Sequence, residues 1–204
     1  MDNLLENTHS SELPLISVII PTYNRPAYLK EAIASVVSQT YTNLEIIVSD
    51  DCSSESPEPI VKAFQDPRLR LRRNPKNLGI GLNATHAFTE ATGKYVASLN
   101  DDDRWDKHFL EKLVQPLEEN SELALAFCDY YVIDGRGNVN WSATEKHTKQ
   151  EKRHRLHEGI YQPFWKIGLV DQAVFTASAA LIRRNAVCWD TLFEAGVFWD
   201  YYIA

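Results

Sequence analysis

Cysteine is scarce in this chain: Cys52, Cys128 and Cys188 are three in 204 residues and lie far apart. That excludes a disulfide framework and a paired-cysteine metal site, and it fits a reducing compartment. No long basic run is present and the net charge is −7, which argues against a nucleic-acid footprint. The six histidines do not change that balance at neutral pH. No apolar run reaches 18 residues, so no membrane-spanning segment is predicted, while peripheral attachment stays open. The start, MDNLLENTHSSELP, is polar and acidic and lacks the pattern of a signal peptide. Residues 1–13 are predicted to be a disordered leader. The sequence stops at WDYYIA with no polar tail, and the expectation is a chain incomplete at its C-terminus. A cytoplasmic location follows from these absences, with the inner face of a membrane left open.

What is present is the balance of a globular protein: 44% apolar and 24% charged residues. The length suits one domain of ordinary size, with or without an appendage. LISVII (15–20) is a short continuous apolar run ended by Pro21, the pattern of a strand buried on both faces of a parallel sheet. LEIIVS (44–49) and KYVASL (94–99) read the same way, whereas RLRLRR (68–73) alternates and reads as a less buried strand. Helical spacing follows each strand: 27–39 with Asn24 as a cap and Pro26 in the first turn, a short helix from Ser56 and Pro57, 81–91 ended by Gly93, and 106–119. Beyond these, 123–134 reads as a long strand, 142–158 as a mobile polar loop and 176–184 as a last strand. Strand–helix alternation over about 120 residues predicts an α/β fold with a mostly parallel sheet.

Ligands of such sheets bind outside the carboxyl ends of the strands. Three loops end there: PTYNR (21–25), DDCSS (50–54) and NDDDRW (100–105), two of them acidic. Several carboxylates on one edge call for a cation. Mg²⁺ or Mn²⁺ takes oxygen ligands and bridges phosphates through one or two carboxylates. A plainer reading stays open, with Asp103 capping the helix near Asp106 and Asp50 or Asp51 closing a turn. Trp105 and Trp199 are open between stacking on a sugar and core packing. His147, His154 and His157 are open between solvation and a ligand-covering loop. Arg183 and Arg184 are open between phosphate pairing and strand-end solvation.

SVIIPTYNR, LEIIVSDDCSS, NLGIGLNATHAFTEATGKYVASLNDDDRW and the later LIRR, in that order, resemble the family 2 glycosyltransferases over roughly residues 16–120, more weakly over 121–204. The resemblance implies an inverting enzyme of the GT-A type, with a Rossmann-like, mostly parallel central sheet and a smaller acceptor-side part. It implies a nucleotide-sugar-binding half over 14–120 and an acceptor-side half over 121–204. The donor would be a nucleotide-diphosphate sugar. The acceptor would be a sugar, polysaccharide, lipid or protein, in polysaccharide biosynthesis. Pro21, Thr22 and Tyr23 would line the base, and Asp51 would accept from a base N–H. Aligned on the family's acidic motif, Asn100 and Asp101 fall near the ribose or diphosphate and Asp102 on a divalent metal. Asn100 departs from the aspartate many members carry there, and Leu82 stands where many carry arginine. The general base of an inverting transfer would be Asp200, with Asp190 and Glu194 as competitors and Trp199 in place of the usual acid before it.

Three rivals remain. GIGLNA (79–84) fits a dinucleotide fingerprint but does not follow the first strand. A receiver-like signalling module would want its acidic pair after the first strand and a lysine after the fifth. A metal-dependent nucleotidyltransferase would want a basic, glycine-rich loop where PTYNRPAY offers Arg25 alone and no glycine.

Overall fold

A computed structural model describes residues 12–171, 173 and 177–189. Six strands form one sheet: β1 (Ile16–Thr22), β2 (Leu44–Asp50), β3 (Leu69–Arg73), β4 (Tyr95–Ser98), β5 (Leu125–Phe127) and β6 (Ala180–Arg183), in the order β3-β2-β1-β4-β6-β5. The first four are mutually parallel, and β6 runs antiparallel to both β4 and β5. Five helices accompany them: α1 (Pro26–Val37), α2 (Glu58–Ala63), α3 (Ile80–Thr89), α4 (Phe109–Glu119) and α5 (Trp141–Gln150).

The apolar runs of β1 and β2 are continuous because both sheet faces are covered. Val18, Ile20, Ile46 and Val48 pack with Leu29, Ile33 and Val36 of α1 and Leu110 and Leu117 of α4. Ile19 and Ile47 point the other way, onto Ala84, Ala87 and Phe88 of α3. β3 is the less buried edge strand its alternation implied. Its Arg70 and Arg72 reach Glu90, just past α3, at 2.6 and 2.9 Å. Gly93 allows a close approach: a Cβ there would lie 2.7 Å from the Ser17 amide nitrogen and 2.8 Å from the Leu15 carbonyl oxygen.

Four local expectations change. Asn24 does not cap α1; Arg25 is the residue before Pro26, and Asn24 takes a left-handed conformation, with its carboxamide oxygen accepting from the Ser54 amide at 2.8 Å. The expected long strand over 123–134 shortens to β5, because β6 offers partners only from Ala180 to Ile182. The chain then closes a turn on Asp134, whose carboxylate accepts from the Arg136 and Asn138 amides. The expected polar loop at 142–158 holds α5. Asn140 caps it by accepting from the Ala143 amide at 3.0 Å, and Lys149–Glu145 and His147–Glu151 pairs brace it. Capping and i,i+4 pairs support a helix without an apolar stripe. The last strand expected over 176–184 narrows to β6. The expected leader falls outside the described residues except Glu12 and Leu13.

Candidate nucleotide-sugar site

Parallel pairing brings the carboxyl ends of β1, β2 and β4 to one edge, and Thr22 is the joint between the two acidic loops. Its carbonyl oxygen accepts from the Asp51 amide at 3.0 Å, and its hydroxyl donates to Asp101 Oδ2 at 2.7 Å. Pro21 lies buried in β1 beside Ser49, and Tyr23 is 47% exposed at the mouth of the loop. The first two loops are laced together as well. The Asn24 amide donates to the Ser53 hydroxyl at 2.8 Å, opposite the Asn24–Ser54 bond.

The loop after β2 is closed upon itself. Asp50 is fully buried. It accepts from the Ser53 amide at 3.2 Å, from the Ser53 hydroxyl, and from Arg73 Nε at 3.1 Å. Asp50 is therefore the turn-closing acid of the pair. Asp51, also buried, accepts from Asn74 Nδ2 and the Leu78 amide, both at 2.9 Å, and from the Gly79 amide at 2.8 Å. Oδ2 carries one of these three bonds, so an acceptor direction on that oxygen remains for a ligand N–H.

Behind Asp51 stands a buried polar group that sequence reading passed over. Asn83 Oδ1 accepts from Asn74 Nδ2 at 2.9 Å and from the Ser49 hydroxyl at 2.7 Å, while its Nδ2 donates to the Ser49 carbonyl oxygen at 2.8 Å. Arg72 extends the group through Ser49 Oγ at 2.7 Å and Asn74 Oδ1 at 3.0 Å. The signal available in the sequence was an asparagine on the apolar face of α3 opposite a serine in an apolar strand.

The loop after β4 is held more loosely. Asp101 is 5% exposed and burial pushes its carboxyl above the usual aspartate value; the Thr22 hydroxyl and the Arg25 guanidinium pull back against that shift. Arg25 Nη1 lies 3.2 Å from Asp101 Oδ1 and 2.7 Å from Asp102 Oδ2, and the Asp102 side chain is 48% exposed. Asn100 turns away from this pair: its amide donates to the Ser178 hydroxyl at 3.1 Å and its Nδ2 to Asp103 Oδ2 at 3.2 Å. Asp103 does not cap α4. Its carboxyl, raised by burial, is met by Ser178 and Asn100, and Gln39 serves α4 by accepting from the Leu110 amide at 3.1 Å.

Other candidates separate from the site. Trp105 is a core residue, stacked on Phe109 with ring centroids 4.3 Å apart and donating from its indole nitrogen to the Ser178 carbonyl at 2.6 Å. Arg183 sits at the opposite end of the sheet, where it donates to the Leu117 and Leu123 carbonyl oxygens and to the Tyr95 hydroxyl. Arg184 follows it there, its amide bonded to the Lys94 carbonyl. His147 belongs to α5, and His154 and His157 are exposed beyond it. Leu82 is exposed on α3 and brings no charge. A cavity of about 950 Å³ runs along β5, lined by Phe127, Arg153, His157 and Tyr161 among others, and touches none of the acidic loops. Asp190, Glu194, Trp199 and Asp200 lie outside the described residues.

The rivals lose ground on this geometry. The GIGLNA stretch opens α3 after β3, and the Gly79 amide that a pyrophosphate would need is committed to Asp51. The acid pair follows β2 rather than β1 and is spent on internal partners. For a divalent cation the donor set is chemically suitable: Asp101 and Asp102 are oxygen ligands that already face one shared cation, Arg25. Among the described residues no group of three or more His, Cys, Asp or Glu gathers to enclose a metal, so water and phosphate oxygens would complete the shell.

Comparison with known proteins agrees with this layout. A solved structure of S. aureus TarS 1-349 in complex with UDP-GlcNAc superposes with a TM-score of 0.60 at 21% identity, covering 88% of this chain and 46% of that one. Mannosyltransferase PcManGT from Pyrobaculum calidifontis, in complex with GDP-Man and Mn²⁺, gives 0.59 at 20% identity, covering 90% and 47%. The likeness establishes the GT-A type fold. By sequence, the GalNAc(5)-diNAcBac-PP-undecaprenol beta-1,3-glucosyltransferase of Campylobacter jejuni is 36% identical over 92% of this chain and 62% of its own length. The chain spans 45%, 65% and 48% of the length of three other curated relatives it matches. The family model for glycosyl transferase family 2 matches residues 17–187, which takes in β2 through β6, all of β1 but its first residue, and all three loops of the candidate site; this chain belongs to that family.

Proposed function

We propose that the protein transfers a sugar from a nucleotide-diphosphate sugar to an acceptor hydroxyl with inversion, and that residues 14–120 hold the donor while 121–204 face the acceptor. The observation that carries this reading is the Thr22 joint, which sets Asp51 and the Asp101–Asp102 pair side by side at the carboxyl edge of the sheet. Asp51 then accepts from a base N–H through the open side of Oδ2, with Pro21, Thr22 and Tyr23 lining the base. Asp101, backed by Thr22, lies toward the ribose and diphosphate, and Asn100 joins it there by turning its carboxamide from Asp103 to the ligand. Asp102, the more exposed acid, would hold Mg²⁺ or Mn²⁺, an ion that would supply charge neutralisation for a diphosphate leaving group. Asp200 takes the proton from the acceptor hydroxyl.

Two relatives inform the acceptor. One is the GalNAc(5)-diNAcBac-PP-undecaprenol beta-1,3-glucosyltransferase and another a putative colanic acid biosynthesis glycosyl transferase. A lipid-linked glycan acceptor handled at the cytoplasmic face of a membrane is therefore the acceptor class we favour. Among the described residues no helix is long and apolar enough to cross a membrane, so contact with that face would be peripheral.

Thermal stability measured against UDP-, GDP- and dTDP-sugars, with and without Mn²⁺, tests the proposal. Stabilisation by one of these donors that depends on Mn²⁺ is expected. Stabilisation by NAD(H) alone, or labelling of Asp50 or Asp51 by acetyl phosphate, would overturn it.

A further inference from the structure

The acidic loop after β4 already has a cation, and it comes from the chain itself. Arg25 Nη1 reaches Asp101 Oδ1 at 3.2 Å and Asp102 Oδ2 at 2.7 Å, bridging the two carboxylates. It is the one basic side chain of the described residues bonded to either acid. Arg104, next in sequence to the triple aspartate, turns instead to Glu31. Asp101 is buried, and a buried carboxylate without a counter-charge is strongly unfavourable. When no metal is there, that charge is offset by a proton or by a cation, and the cation at hand is Arg25.

Arg25 is also arranged to leave. Its backbone is fixed, because its carbonyl oxygen accepts from the Leu29 amide at 3.0 Å and Pro26 follows as the first residue of α1. Its side chain is 51% exposed and bonds through Nη1 alone; among the described residues no acceptor meets Nε or Nη2. Its shorter pair, with Asp102, has both side chains about half exposed, and ion pairs that open to water are weak. The unused donors have the fork geometry that matches phosphate oxygens. A guanidinium and a divalent cation cannot share the same gap between two carboxylates, so entry of one expels the other.

We propose that Arg25 is a built-in counter-ion that keeps the cation place at Asp101 and Asp102 and is displaced onto the donor diphosphate when a divalent cation enters. The inference rests on the nucleotide-diphosphate reading of the site. It predicts opposite signs for two equilibria. Removing Arg25 takes away a competitor for the metal and a contact to the phosphates.

The experiment measures Mn²⁺ binding by electron paramagnetic resonance, then UDP and GDP binding at saturating Mn²⁺, for wild type, Arg25→Ala, Arg25→Lys and Asp102→Asn. Arg25→Ala should bind Mn²⁺ alone roughly two- to fivefold more tightly, the scale of an exposed ion pair. It should bind the preferred nucleotide with Mn²⁺ about tenfold more weakly, the scale of a lost charge-assisted bond. Arg25→Lys should fall between for the metal, since an ammonium keeps the charge but not the planar fork. Unchanged or weaker Mn²⁺ binding in Arg25→Ala, or both equilibria weakening together, would overturn the counter-ion role. If in that case Asp102→Asn has lost Mn²⁺, the metal site itself stands. If Asp102→Asn binds Mn²⁺ as wild type does, the metal reading fails and the counter-ion role with it.

Discussion

At the end of β2, Asp50 and Asp51 are buried and turned inward, bonded to Ser53, Arg73, Asn74 and the amides of Leu78 and Gly79. At the end of β4, Asp101 and Asp102 are met by one hydroxyl and one half-exposed arginine, and Asp102 stands half in solvent. Both loops are runs of aspartate after an apolar strand. The difference is that the first has a third strand and the start of α3 beside it to supply donors, whereas among the described residues the β4 loop draws only on Thr22, Asn100, Ser178 and Arg25. Acids with inner partners shape a surface; acids left short of partners are available to a cation.

Three substitutions grade that contrast. Asp50→Ala should cost most, about 3 kcal/mol in urea unfolding, because it removes a fully buried acceptor and leaves the Ser53 amide and hydroxyl and the partly exposed Arg73 guanidinium without their partner. A loss under 1 kcal/mol would mean that water replaces Asp50 and that the loop is not closed as the structure has it. Asp51→Asn comes next, at about 1–3 kcal/mol, since an amide nitrogen would face either the Leu78 or the Gly79 N–H. Donor binding should fall with it. Full stability combined with lost binding would instead make Asp51 purely a ligand contact. Asp102→Asn should change stability least, within about 1 kcal/mol, as befits a half-exposed ion pair. A larger loss would show that the β4 loop depends on its acids as the β2 loop does.

The division between legible and hidden follows the same physics. β1, β2 and β4 were readable because strands covered on both faces must be apolar throughout, a local property of the letters. The crossing at Thr22 was readable only as a shared edge, since nothing local tells which hydroxyl meets which acid. α5 was not readable: Trp141–Gln150 lacks an apolar stripe and is held by the Asn140 cap and ion pairs. The strand at 123–134 was overextended because apolar content does not state how long a partner is, and β6 is four residues. Asn24 had the residue type of a cap, but its carboxamide found Ser54, 30 positions away.

By itself, the sequence determined the alternating α/β frame, the two acidic strand ends and the family, because burial pattern and ordered motifs are written residue by residue. The tertiary structure decided which of five similar aspartates are free to act. That choice depends on donors brought from β3, α3, Arg25 and Ser178, and a carboxylate's availability is set by what surrounds it in space rather than by its neighbours in the chain.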